Sequence, residues 1–187
     1  VASFLSVYGF NAKAALEGQS FARVGEAQFD SSITLVDDVI DQRALGIAFD
    51  SEGTPKQRLK LIDGGVTSSL AHDRRTARKA GTVSTGHATA GSDVWGPIAH
   101  TLFLEEGSDP VGEMIAGVVR GIYVATFNYC RVLDPKSLVV TGLTRNGTFM
   151  IEKGRITGAV SNLRFTQSFV AALGVGKVVG IGNDAHF

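Results

Sequence analysis

The glycine-bearing turns constrain this chain more than any other feature. Asp63-Gly64-Gly65, Asn146-Gly147 and Lys153-Gly154 each separate two short β-like runs. Asp-Gly, Gly-Gly and Asn-Gly tolerate the positive φ of tight hairpin turns, whereas parallel strands need long crossover connections. The runs at 58–62 and 66–72 therefore predict a hairpin. Those at 139–143, 148–152, 155–157 and 163–166 predict a second antiparallel set, with Asn146-Gly147 and Lys153-Gly154 as its turns. Further strands are expected at 33–36, ending in Asp37-Asp38, and at 178–181. Gly accounts for 23 of the 187 residues, well above the usual share of about 7%, and most of these glycines lie between such runs.

Helical periodicity marks three other places. Val1, Phe4, Leu5, Tyr8, Ala12, Ala15 and Leu16 share one stripe, while Val7, Phe10 and Ala14 lie elsewhere around the turn. A helix apolar nearly all round is a buried one, and Gly18 is its expected stop. Asp73 is placed to cap a helix over 74–80, with Gly81 just beyond it. Asp109-Pro110 opens a third helix over 111–120. Strand sets interrupted by separate helices define the α+β class. The expectation is one domain over 1–187: mainly antiparallel β-sheet, barrel- or sandwich-like, with a buried N-terminal helix and a few further short helices.

Charge and composition narrow the function. Lys and Arg total 18 against 18 Asp and Glu. Neutralising phosphates takes an excess of cations, so nucleic acid is not an expected partner. No apolar run approaches the roughly 20 residues that span a bilayer, and no membrane association is expected. The lone Cys130 has no internal disulfide partner, which fits a reducing compartment and a cytoplasmic location. The start, without Met and already inside a helical pattern, suggests a piece of a longer protein.

Several constellations invite a chemical reading. Gly174, Gly176 and Gly180 are one residue too widely spaced for a dinucleotide fingerprint, and Lys177 precedes Val178 rather than a hydroxyl. Asp37, Asp38 and Asp41 have the residue types for Mg²⁺ but follow a strand in what reads as a polar turn. Ser84 lies near His87, without the strand–elbow–helix spacing of a serine nucleophile and with no marked acid to orient the imidazole. His72, His87, His100 and His186 form no paired metal motif. Arg74, Arg75, Arg78 and Lys79 read as a solvated helix face that could also meet an acidic surface or a peptide carboxylate. Taken alone, these residues display no active site.

The segment DSEGTPKQRLKLIDGGVTSSLAHDRRTARKAGTVSTGHA, residues 50–88, resembles the C-terminal domain of the TldD/PmbA family, the "modulator of DNA gyrase" proteins. GSDPVGEMIAGVVRGIYV, the T-G…I-E-x-G-x-I core of TGLTRNGTFMIEKGRITGAVSNLRFTQSF, and the closing VGIGND follow in the family's order. The resemblance implies two kinds of subunit. A TldD-like protease carries H-E-x-x-x-H on the helix before E-G-x-P, where two histidines hold zinc and the glutamate acts as base. In this chain that register falls on Ser6, Val7, Tyr8, Gly9, Phe10 and Asn11. Ser6 and Asn11 stand where the histidines should be, and Val7 cannot take a proton. No histidine precedes His72, so no shift of register restores the motif. A further family ligand near the C-terminus would lie beyond Phe187.

This chain accordingly resembles the PmbA/TldE subunit. What the resemblance implies is a pseudo-protease with no cofactor of its own, paired with a zinc-bearing TldD-like protease. In that family the complex encloses a chamber and cleaves unfolded peptides, including in microcin maturation and antitoxin removal. An open sheet edge could take such a peptide as an added strand. The expected peptide contacts are Asp73, Arg74, Ser84, Thr85, Gly86 and His87. Alternatives are an active metallopeptidase with unorthodox ligands such as His72 or His87, and a non-proteolytic modulator of DNA gyrase. An isolated subunit could form a homo-oligomer.

Overall fold

The structure is a computed structural model in which residues 1–183 are described. The N-terminal helix is two helices, α1 (Ala2–Tyr8) and α2 (Ala12–Leu16). The expectation of a single helix fails for a tertiary reason. Phe10 is wholly buried, with its ring edge-on to Phe21 at 5.7 Å and tilted against Phe29 at 6.3 Å. The backbone there pairs with Ala71, whose N–H donates to the Phe10 carbonyl while its own carbonyl accepts from Ala12 N. Asn11 then restarts the helix, its side chain accepting from the N–H groups of Lys13 and Ala14. Gly9 permits the close approach: a Cβ there would lie 2.0 Å from the Phe21 ring.

Strand β1 (Leu35–Asp37) lies between β2 (Leu59–Asp63) and β4 (Leu102–Leu104), with β3 (Val66–Thr67) outside β2. All pairings in this first sheet are antiparallel. Gly64 and Gly65 form the predicted turn, at φ 53° and 82°. The helix expected after Asp73 is α3 (Arg74–Ala80), closed by a capping box between Asp73 and Thr76 and by Gly81 in the left-handed region. A short α4 (Ser92–Trp95) precedes β4, and α5 (Val111–Ala116) follows it. α5 ends four residues short of the expected boundary, because the carbonyls of Val118 and Val119 turn outward to accept from Gly154 and Lys153.

The second sheet is built on β6 (Val139–Glu152), which pairs with β5 (Arg120–Asp134) on one side and with β7 (Arg155–Ala159) and β8 (Arg164–Ser168) on the other. Asn146-Gly147 is not a turn here. The pair sits inside β6 at φ 58° and 129°, and the register passes from Val124↔Thr148 to Thr126↔Arg145. Positive φ therefore serves a β-bulge rather than a hairpin. β5, which the turn signals did not mark, is the outer strand of this sheet. Three register breaks interrupt it, and such irregularity blunts an edge against unwanted pairing. After the final helix, α6 (Phe169–Ala172), residues 178–181 form no strand. They run beside Asp109, whose N–H donates to the Ile181 carbonyl.

The described residues form an α+β fold with two four-stranded antiparallel sheets and no closed barrel among them. One apolar cluster joins Leu5, Phe10, Leu35 and Ile62 on the first sheet's side to Leu138, Val140 and Phe169 beside the second. Among the described residues no helix is long and apolar enough to cross a membrane.

Candidate functional site: the degenerate helix and a buried imidazole

Ser6 and Asn11, the positions where the resemblance implies histidines, flank the break between α1 and α2. Ser6 and Asn11 are 1% and 2% exposed. Ser6 Oγ donates to the Ala99 carbonyl at 2.7 Å, and Asn11 Nδ2 donates to the Trp95 carbonyl at 2.7 Å. Asn11 Oδ1 is occupied as the cap of α2. Both side chains thus hold the segment 95–99 against the helices. A buried polar group needs such partners, and here its hydrogen bonds go to backbone. Val7 and Asn11 border a cavity of about 330 Å³, shared with Trp95, Ile98 and Pro135. The residues at this place do not fit zinc: a hydroxyl and an amide are weak neutral donors already engaged, and Val7 offers no atom to a proton.

Ligand-type chemistry appears in a different part of the fold. His87 is 1% exposed and Asp37 is not exposed at all, and His87 Nε2 lies 3.1 Å from Asp37 Oδ1. The other carboxyl oxygen of Asp37 accepts from Thr101 N at 2.7 Å. His87 Nδ1 lies 2.8 Å from Thr85 Oγ1, which also accepts from His72 N at 2.8 Å. The Thr85 proton has two takers, that ring nitrogen and the His72 carbonyl at 3.1 Å. An acid therefore does orient the imidazole, contrary to the reading from spacing. The signal was present in β1: an acid that ends the apolar run Leu35-Val36 must be paired if it is buried. This trio resembles a catalytic relay in composition only, because neither Asp37 nor His87 can be touched from outside.

The remaining candidates are dispersed. Asp37 points inward, whereas Asp38 and Asp41 face Arg58 and Arg43 at 3.2 and 2.8 Å. Hydrogen bonds from Arg43 hold the Asp41 carboxyl down to about 2. Ser84 Oγ donates to the His72 carbonyl at 3.2 Å, not to His87. Gly86 is buried at φ 76°, its Cα side packed on the Pro55 carbonyl. Asp73 is buried as the α3 cap, while Arg74 and its basic neighbours are exposed. His72 is half-buried and its Nδ1 has no hydrogen-bond partner. Burial lowers its pKa, and burial with nearby Lys56 lowers that of His100. His186 lies outside the described residues. Among the described residues no group of three His, Cys, Asp or Glu side chains is arranged to hold a metal.

The chain belongs to the PmbA/TldA metallopeptidase C-terminal domain family, which matches residues 1–187. It is 29% identical over 154 residues to a metalloprotease TldD homologue of Haemophilus influenzae, covering 81% of this chain and 32% of that protein. It thus spans about a third of the length of the curated relatives it matches. Its fold is similar to that of TldE from Thermococcus kodakarensis, with a TM-score of 0.79 and 23% identity, covering 92% of this chain and 40% of that one. A Thermotoga maritima protein described as a modulator of a DNA gyrase superposes at 0.81 with 21% identity, over 97% and 41% of the two chains.

Proposed function

We propose that this chain is the C-terminal domain of a PmbA/TldE-like subunit, a pseudo-protease that works with a zinc-bearing TldD-like protease on unfolded peptides in the cytoplasm. The observation that carries this reading is the fate of Ser6, Val7 and Asn11. Two of them are committed to backbone carbonyls and the third is apolar. Ordinary peptidase chemistry in such a site needs a metal-held water and a proton acceptor, and this helix supplies neither. The identity to TldD relatives supports common descent, while the local chemistry separates this chain from their protease role.

In this reading the chain contributes partner binding and peptide guidance. The exposed Arg74, with Ser84 and Thr85 on the loop behind it, belongs to the surface offered to the peptide; Asp73, Gly86 and His87 hold that surface in place. The test is metal analysis and peptidase assay of the purified full-length protein, alone and co-expressed with a TldD-like protein. The expected result is no stoichiometric zinc and no cleavage alone, with a stable complex that cleaves an unstructured peptide. Stoichiometric zinc and cleavage by the protein alone would overturn it.

A further inference from the structure

We propose that the surface joining α3 to the degenerate-helix cavity is a groove for extended peptides that carry an acidic side chain close to an apolar one. This deepens the peptide-guiding role above and rests on it. α3 buries Thr76 and Ala77 and exposes Arg74, Arg75, Arg78 and Lys79. Arg75 and Lys79 have no ion-pair partner among the described residues, although the chain as a whole is neutral. One turn apart on the helix, they line a cavity of about 190 Å³ together with Lys13 and Ser92. Lys13 is paired with Glu17 at 2.9 Å, which leaves the other two cations available for an anion from outside.

The second cavity begins where the first ends. Lys13 and Glu17 line both, and beyond them the wall becomes Val7, Val94, Trp95 and Ile98. Trp95 is 73% exposed at the end of α4, followed by Gly96 at φ 81°. An indole left in water beside a cavity of about 330 Å³ is a ready partner for an apolar side chain. Val7, Val94, Trp95 and Ile98 thus form an apolar hollow next to free positive charge. In an extended peptide, side chains two positions apart lie on one face, so an acid and an aromatic at that spacing can face neighbouring hollows together, and the probes below use it. Carboxylate recognition by paired cations supplies the charge selectivity.

The experiment uses the full-length protein and three fluorescent Gly/Ser peptides, centred on Asp-Ser-Phe, Asn-Ser-Phe and Lys-Ser-Phe, read by anisotropy. The Asp probe should bind at least about tenfold tighter than the Lys probe. R75E/K79E should reverse that preference, and R75K/K79R should keep it. W95A should weaken the Asp and Asn probes alike and leave their ratio unchanged. Equal binding of the Asp and Lys probes, or a preference untouched by charge reversal, would overturn the groove. Zinc content and peptidase activity of the same preparation separate the two readings. A charge preference in a zinc-loaded, active protein would uphold the groove and sink the pseudo-protease role. No preference in a zinc-free, inactive protein would sink the groove alone.

Discussion

The break between α1 and α2 and the buried Asp37–His87 pair solve the same physical problem with opposite chemistry. Each is a place where polar side chains leave water inside a small fold. At the break, Ser6 and Asn11 are neutral and each spends its hydrogen bonds on main chain. At the pair, an imidazole and a carboxyl face one another, with Thr85 and the Thr101 N–H completing the set. Family membership leads one to seek ionisable chemistry at the break, and it lies at the pair. The lesson is that burial separates a reactive residue type from a reactive site. His87 and Asp37 have the right atoms and no access; Val7 and Asn11 have a cavity and the wrong atoms.

The largest consequence concerns the pair. Asp37→Ala leaves His87 Nε2 and Thr101 N without their acceptor in an interior that water does not reach. Removing one member of a buried pair costs about 3–5 kcal/mol, so urea midpoints should fall far enough to threaten folding at 37 °C. His87→Ala should be comparable, and the double variant should cost much less than the sum. If Asp37→Ala costs no more than a typical surface change, the claimed contrast between the two regions fails.

At the break the costs are steric and smaller. Gly9→Ala would place a Cβ 2.0 Å from Phe21 Cζ and 2.7 Å from the Leu5 carbonyl. The Phe21 ring is held edge-on by Phe10 and Phe29, so it has little room to retreat. Overpacking of this kind costs about 1–3 kcal/mol. Asn11→Ala removes the α2 cap and one bond to Trp95, worth about 1–2 kcal/mol together. Asn11→Asp keeps the acceptor for the cap but sets a carboxylate oxygen against the Trp95 carbonyl in a buried site, so its cost should exceed that of Asn11→Ala. Thermal melts of the three proteins check the order.

Sequence signals located what depends on neighbouring residues and missed what depends on distant ones. Asp73, Thr76 and Gly81 set both ends of α3 by local hydrogen bonds, and that helix lies where its caps place it. Gly64-Gly65 and Lys153-Gly154 made the turns their φ preferences allow. Asn146-Gly147 has the same preference, yet the partner strand β5 continues past it, and a bulge results. β5 itself was invisible because an outer strand with no fully buried residue shows no clean alternation. The α1–α2 break depends on Phe21 and Ala71, which lie far along the chain from Gly9 and Asn11. The site shows the same division. The residue types at Ser6, Val7 and Asn11 are readable in the sequence, whereas the union of Asp37 with His87 spans 50 residues and needs the fold.

The smallest expected effect is a pH dependence that sharpens the contrast with a third histidine. His72 lines the cavity beside Thr85, half-buried, with an unpartnered Nδ1. Burial lowers its pKa below the ordinary value near 6.5, against a weaker upward pull from Asp73. Above that value folded and unfolded chains both hold a neutral ring, and stability is unaffected. As pH falls through about 6.5 the unfolded chain takes up the proton first, so stability declines until the folded ring also protonates. His100 contributes in the same direction, since burial and Lys56 lower it too. Denaturation midpoints should therefore drop between about pH 7 and 5.5, and the slope should flatten in His72→Asn and flatten further when His100→Asn is added. A slope unchanged in both variants would mean that the decline arises elsewhere, and that these half-buried rings are as well solvated folded as unfolded.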